Sequence, residues 1–466
     1  MLRRIQTLAL SQPRARRETF SGSQSRQIRR QMAGLAWPCL IENLSYTALG
    51  VVNMMMVGRL GPEAVAAVGL GNRIRMLFQL VFSGMAVGNT AMVARSVGAR
   101  DPVGAGRVAK QALSLGVLVT LATTLAGSIF PSHLIAWMGA TEAVNAPAAE
   151  YVRIISLGQF FLMVMVIGNG TLRGAGDTRT PMFTTMVINL VNVCVGYVLI
   201  FGKLGLPALK VGGAATGLVI SQMVGSALVF SVLISGRRSV RLDWHSTWRF
   251  DWDIIGRLFH LGAPATLEDF FMQMGMFAYT VIVVSLGTEA FATQQIIMNA
   301  TMFVFAPGQA FSVVATTMVG QSLGAKEPSR AERSGWEAAS MAAIWNTVMG
   351  LIFFFFGQRI MGLYISDPDI IALGGLSLRI FSLSFPLTAL NQSLGGALRG
   401  AGDTRFPMLV TGGSVWLIRI PLVYLLGVVL GHGLPGVWSG HGLDLVVRGC
   451  IMALRFRKGT WKTIRV

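Results

Sequence analysis

Glu42, Glu268 and Asp269 each lie well inside a long apolar run. A helical rise of ~1.5 Å per residue puts them roughly 15 Å from one membrane face, near the middle of a bilayer. Ionisable side chains are costly at that depth, and function is the first hypothesis for them. A carboxylate there suits the capture and release of a cation: a proton, Na+ or the charged end of a substrate. Arg73 and Arg75 reach a similar depth from the opposite face and are the expected charge partners of Glu42. The corresponding positions of the second half hold Asn299 and Thr301, so Glu268 and Asp269 lack that partner, although Arg419 can reach either. A buried carboxylate with no cation beside it resists ionisation, which suits a proton carrier. Glu268 is therefore the expected coupling carboxylate, with Asp269 as its neighbour and Glu42 as a structural or secondary partner. The competing reading is that all three form static ion pairs between helices. Pro38 and Pro264 sit one turn before the two glutamates and predict kinks that free carbonyls for an ion or for bending. Asp444 and Arg448, spaced i, i+4, are expected to pair with each other.

Other chemistries lack their residues. The five histidines are scattered, the three cysteines show no metal-ligand spacing, and no nucleophile–base or HExxH arrangement occurs. "RGAGDTR" (173–179) is no phosphate loop, because it lacks the lysine and follows no strand. Neither an enzyme nor an ATP-driven pump fits, and no metal or cofactor is implied beyond a coupling ion, H+ or Na+. Buried acids also argue against a passive scaffold.

The elements that position these groups follow from composition. The chain is 53% hydrophobic and 13% charged, about half the charged share of a soluble domain. Apolar runs long enough to cross a bilayer recur throughout. Twelve helices are expected, near 32–58, 64–94, 107–130, 146–169, 181–201, 212–235, 254–285, 289–320, 332–356, 370–394, 407–430 and 434–456. An even count puts both termini on one side. The breaks on that side carry sixteen lysines and arginines, against Arg59, Lys203, Lys210 and Arg359 opposite. This bias predicts cytoplasmic termini in a multi-pass plasma (inner) membrane protein. The net charge of +19 is thus spent on orientation and anionic headgroups, and no break is long enough to build a nucleic-acid surface. Residues 1–30 read as a basic, disordered cytoplasmic tail, with a transit peptide as the alternative.

One phrase is written twice: "LRGAGDTRTPM" at 172–182 and "LRGAGDTRFPM" at 398–408. The offset of the aspartates, 403 − 177 = 226, also carries Pro38 to Pro264, Glu42 to Glu268 and Gly98 to Gly324. The chain therefore divides into six-helix halves, 31–235 and 253–466, joined by an interfacial linker, 236–252. Halves of even span number share a topology and are related by an axis along the membrane normal, a common transporter plan. In the linker, Trp244, Trp248 and Trp252 would form one stripe if helical. Each copy of the phrase joins the fourth and fifth spans. Its glycines allow a tight turn, and Asp177 and Asp403 can cap free amides or pair with Arg179 and Arg405. A structural turn is favoured over a moving cytoplasmic gate.

The doubled phrase, with "VGRLG" (57–61), "SLGTEAFATQQI" (285–296) and "VGQSLGA" (319–325), resembles the multidrug and toxic compound extrusion family over residues 31–456. The resemblance implies an all-α membrane protein of two six-helix lobes around a central cavity. It also implies export of organic cations or drugs in exchange for protons or sodium. Rocker-switch alternating access and a monomer fit that plan. Asn53 stands where members often carry an aspartate, so a coupling scheme resting on that acid does not carry over. The last span, "WSGHGLDLVVRG" (438–449), is also unusually polar. Asn53, Met54, Gln273, Met276, Phe277 and Tyr279 are expected to line the outer cleft, since methionines and aromatics adapt to varied apolar cations. Arg73, Arg75 and Arg419 keep open an alternative, an exporter of organic anions or lipid-linked substrates.

Overall fold

The computed structural model describes residues 22–139, 141–236, 240–243 and 248–464. These residues are helical with no strand. The first half comprises α1 (Gly22–Gly58), α2 (Pro62–Gly98), α3 (Pro102–Ile129), the short α4 (Pro131–Trp137), α5 (Glu142–Leu157), α6 (Gln159–Gly174), α7 (Arg179–Phe201) and α8 (Lys210–Ser235). The second comprises α9 (Trp252–Val284), α10 (Thr288–Gly324), α11 (Pro328–Gly362), α12 (Pro368–Ser382), α13 (Phe385–Gly400), α14 (Arg405–Val429) and α15 (Gly433–Lys458).

Local chemistry sets the helix starts. Pro62, Pro102, Pro328 and Pro368 occupy first turns, where no amide donor is needed. Asp101, Asp251 and Asp367 accept hydrogen bonds from free amides at the starts of α3, α9 and α12. Among the described residues nine helices are long and apolar enough to cross a membrane, or eleven if each bent pair counts once. The pairs are α5–α6 and α12–α13, bent by 52° and 53°. Each pair covers one expected span, with a bend that the sequence did not announce. The expected twelfth span is present as α15 but falls outside those eleven; Asp444 and Arg448 within it lower its hydropathy. α1 begins at Gly22, so residues 22–30 belong to a helix and not to the expected disordered tail. Residues 248–251 are not helical and Trp244 lies outside the described residues, so no tryptophan stripe forms over the described part of the linker. Lys110 sits over the Trp248 ring instead, 4.5 Å from its centre.

Among the described residues the two halves mix their cores at one end only, the end carrying the repeated phrases. There Ile28, Met32 and Ala36 of α1 pack with Val314, Met318 and Phe456 of the second half. Reciprocally, Ile254, Leu258 and Leu261 of α9 pack with Val108, Leu162 and Leu172 of the first. Toward the other end each half has its own cluster. Hydrogen bonds between halves gather at the phrase end. Thr317 donates to the Arg173 carbonyl, Gln321 to that of Gly174, Arg95 to that of Ala401, and Arg29 pairs with Glu337. A Cβ at Gly98 would collide with the Gln321 carbonyl, and one at Gly324 with that of Arg95. Only glycine lets α2 and α10 cross this closely, and the crossing repeats with the 226-residue offset (98 + 226 = 324, 95 + 226 = 321). The structure is therefore zipped at the phrase end.

Candidate functional site

Glu42 does not pair with its expected partners. Neither Arg73 nor Arg75 reaches it. Arg173 donates from Nη2 to Glu42 Oε1 at 2.7 Å, and Thr185 donates to the same oxygen at 3.4 Å. The second half repeats the arrangement. Arg399 holds Glu268 through Nη2 at 2.8 Å and Nε at 3.3 Å, and Thr411 adds a bond of 3.0 Å. Both glutamates are buried. Arg173 and Arg399 are the first arginines of the repeated phrases, at the ends of α6 and α13. Sequence reasoning counted them only as orientation charges. The missed signal was the spacing, since 173 − 42 and 399 − 268 both equal 131. Glu268 thus has a cation after all, and it sits in a static pair.

Asp269 differs. A residue step turns a helix by about 100°, so it cannot share Glu268's direction. It is exposed, and no hydrogen bond or ion pair reaches it among the described residues. Its stripe of α9 runs through Gly262 and Thr266, which pack on Gly84 of α2, and continues through Asp269, Gln273 and Met276. Gly88 meets Leu258 and Gly84 meets Gly262, so α2 and α9 run antiparallel. Eleven residues further along each (84 − 11 = 73, 262 + 11 = 273), exposed Arg73 stands level with exposed Gln273. Asp269 and Arg73 are thus exposed on the facing stripes of α9 and α2 that would wall the expected cleft.

Tyr279 is not in that cleft. It follows Glu268 by eleven residues, three turns, so it shares the inward face and is fully buried. Its ring lies edge-on to Trp438 and His441, at 6.1 and 5.4 Å. Phe277 is exposed and Met276 half-buried. Asn53 and Met54 instead line a separate cavity of about 210 Å³ within the first half, together with Arg75.

Arg419 does not approach Glu268 or Asp269 within ion-pair distance. Its Nε donates to Asp444 Oδ2 at 2.8 Å, and Arg448 grips the same carboxylate at 3.0 and 2.7 Å. Ser414 donates to Asp444 as well. All three charged groups are buried. Two π-helical turns, Val415–Arg419 and Leu425–Val429, interrupt α14 around Pro421. Proline's missing amide favours such a break, and Arg419 closes the first of them. The expected Asp444–Arg448 pair is present, with a second arginine added.

The repeated phrases form turns, with Gly176 and Gly402 at φ 85° and 87°, where a side chain would be strained. Their aspartates part company. Asp177 accepts from the amides of Arg179 and Thr180 at 3.1 Å each, and from the Thr180 hydroxyl. Phe406 replaces that threonine in the second copy. Asp403 is instead held by Arg455 of α15 at 3.0 and 2.8 Å, and Arg455 sits 4.8 Å over the Phe406 ring. Asp177 thus caps free amides, one of the two expected roles, and Asp403 pairs with Arg455.

The MatE family profile matches residues 38–198 and 264–425, two blocks whose starts differ by 264 − 38 = 226. The chain belongs to the MatE family. It is 30% identical over 446 residues to the probable multidrug resistance protein NorM of Thermotoga maritima, covering 94% of each chain. It is 28% identical to the uncharacterized transporter YisQ of Bacillus subtilis, over 92% of this chain and 94% of that one. A crystal structure of MATE in the bent conformation superposes with a TM-score of 0.85 at 24% identity, over 95% of this chain and 98% of that one. This MatE protein is therefore a multi-pass helical membrane transporter of a multidrug efflux family, and its homologues are transporters, not enzymes.

Proposed function

We propose that this MatE protein is a secondary antiporter. It exports small organic cations in exchange for H+ or Na+ by rocker-switch alternating access between its lobes, 31–235 and 253–466. Asp269 is the exchange carboxylate, and the observation that carries this is its position: exposed, with no hydrogen bond or ion pair among the described residues, on the stripe of α9 that faces the expected cleft. Antiport needs one site that two cations occupy in turn, and an unpaired acid in the cleft offers it. Glu42 and Glu268, already held by Arg173 and Arg399, fix the helices that carry the walls. Arg73 supplies a further rule. When the far end closes, an empty, ionised Asp269 draws Arg73 across the cleft and the carrier stalls, whereas a loaded Asp269 lets it pass. Pro38 and Pro264 provide the bending points of α1 and α9. The basic breaks support a cytoplasmic zipped end and cytoplasmic termini, in a plasma-membrane protein that works as a monomer.

The test is flux in proteoliposomes holding the purified protein, with ethidium inside and an imposed inward H+ or Na+ gradient. Ethidium is expected to leave while the gradient lasts and to stop when an ionophore dissipates it. Efflux indifferent to both gradients contradicts the proposal.

A further inference from the structure

We infer that the first-half cavity is an oxyanion subsite, one that seats the carboxylate of a small organic acid. The cavity, about 210 Å³, is lined by Arg75, Asn72, Gln79, Tyr151 and Asn169 with Tyr46, Asn53, Gln222 and apolar side chains, and no described aspartate or glutamate lines it. Arg75 has no carboxylate partner among the described residues. Its Nε donates to Asn72 Oδ1 and its Nη1 to Gln79 Oε1, both at 3.2 Å, and Tyr151 donates to Asn72 Oδ1 at the same distance. The consequence is directional. Once both amide oxygens are turned toward the guanidinium, both NH2 groups face away from it. Arg75 Nη2 and two amide NH2 groups thus remain as donors beside a full positive charge. A cation there meets the repulsion of the Arg75 charge, whereas a carboxylate finds charge-assisted donors, the strongest class of hydrogen bond.

Asn169 also lines the cavity and is 5% exposed; its Oδ1 has no partner among the described residues and is turned away from the open space. The ligand is therefore selected by the guanidinium and the two amide NH2 groups, and its class is a small organic carboxylate. The meaning of this subsite rests on the exporter reading: substrates with a carboxylate, alone or beside a cationic group, come within range. It also gives the organic-anion alternative a definite address.

The test is equilibrium binding to purified protein in detergent, with no ion gradient, so its outcome does not depend on transport. The probes are radiolabelled 4-hydroxybenzoate and 4-hydroxybenzylammonium, which share a ring and a hydroxyl and differ in charge. Wild type is expected to bind the benzoate at least about tenfold more tightly, as a charge-assisted pair requires. Arg75→Gln removes that preference and Arg75→Lys keeps most of it, both variants eluting as wild type on gel filtration. Equal binding of the two probes by wild type, or an unchanged preference in Arg75→Gln, overturns the assignment. Loss of ethidium efflux together with intact benzoate preference would fault the antiport proposal and leave the subsite standing.

Discussion

Asp269→Asn is expected to abolish gradient-driven efflux while leaving the fold untouched. A group that commits a two-state carrier to one form shifts its population by about 100-fold, so flux should fall by about that factor. Stability should barely move, because Asp269 is exposed and makes no hydrogen bond or ion pair among the described residues; substitutions of that kind stay within ~0.5 kcal/mol. The neighbouring Glu268→Gln separates function from structure. It leaves Arg399 facing a neutral group at a buried site, and breaking a buried pair costs roughly 3–5 kcal/mol, so its thermal midpoint in detergent should drop clearly. The reverse pattern, a stable Glu268→Gln that has lost coupling and a fully coupled Asp269→Asn, would return the role to Glu268.

The second large effect is structural. Asp444→Asn should prevent recovery of folded protein, because Asp444 is the anion between two buried arginines. Arg419 and Arg448 are 1% and 0% exposed. Without the carboxylate, two guanidiniums share a site shielded from water, and the loss lies at or above ~3–5 kcal/mol. The same physics predicts a rescue. Replacing all three together, Arg419→Met, Asp444→Leu and Arg448→Met, removes the charges along with their desolvation, and such apolar replacements are often neutral or stabilising. Monodisperse elution and a thermal midpoint near wild type are expected for the triple variant. A folded Asp444→Asn of unchanged midpoint would show that the cluster is better hydrated than its burial implies.

Counting along the sequence located equivalent positions, because the 226-residue register is strict. It therefore matched Glu42 to Glu268, which make the same contacts with an arginine and a threonine, and put the repeated phrases at turns. It could not locate direction. In a helix apolar on nearly every side, no amphipathic stripe marks which face meets lipid, cleft or neighbour. Tyr279 was accordingly placed in the cleft, although it shares Glu268's inward face. The partner of Asp444 on α14 was equally hidden, since nothing in either segment points to the other. The Glu–Arg pairs were within reach, because two charges repeating at one separation of 131 residues in both halves are a contact signal in a single sequence. The Thr180/Phe406 difference was visible too, but its effect, the handover of Asp403 to Arg455, depends on where α15 ends.

Exchange requires Asp269 to face a cleft that opens alternately to the two sides. The most direct measurement is labelling of Asp269→Cys by a membrane-impermeant, positively charged methanethiosulfonate, with Cys39, Cys194 and Cys450 replaced by alanine. With the phrase end held shut by a disulfide engineered across the α2–α10 crossing, reagent added on the far side is expected to modify the cysteine, ethidium to slow the reaction, and reagent on the phrase side to fail. A cysteine that reacts from neither side, or equally from both in the locked form, would mean that Asp269 faces lipid or a fixed pore, and the exchange mechanism would be wrong.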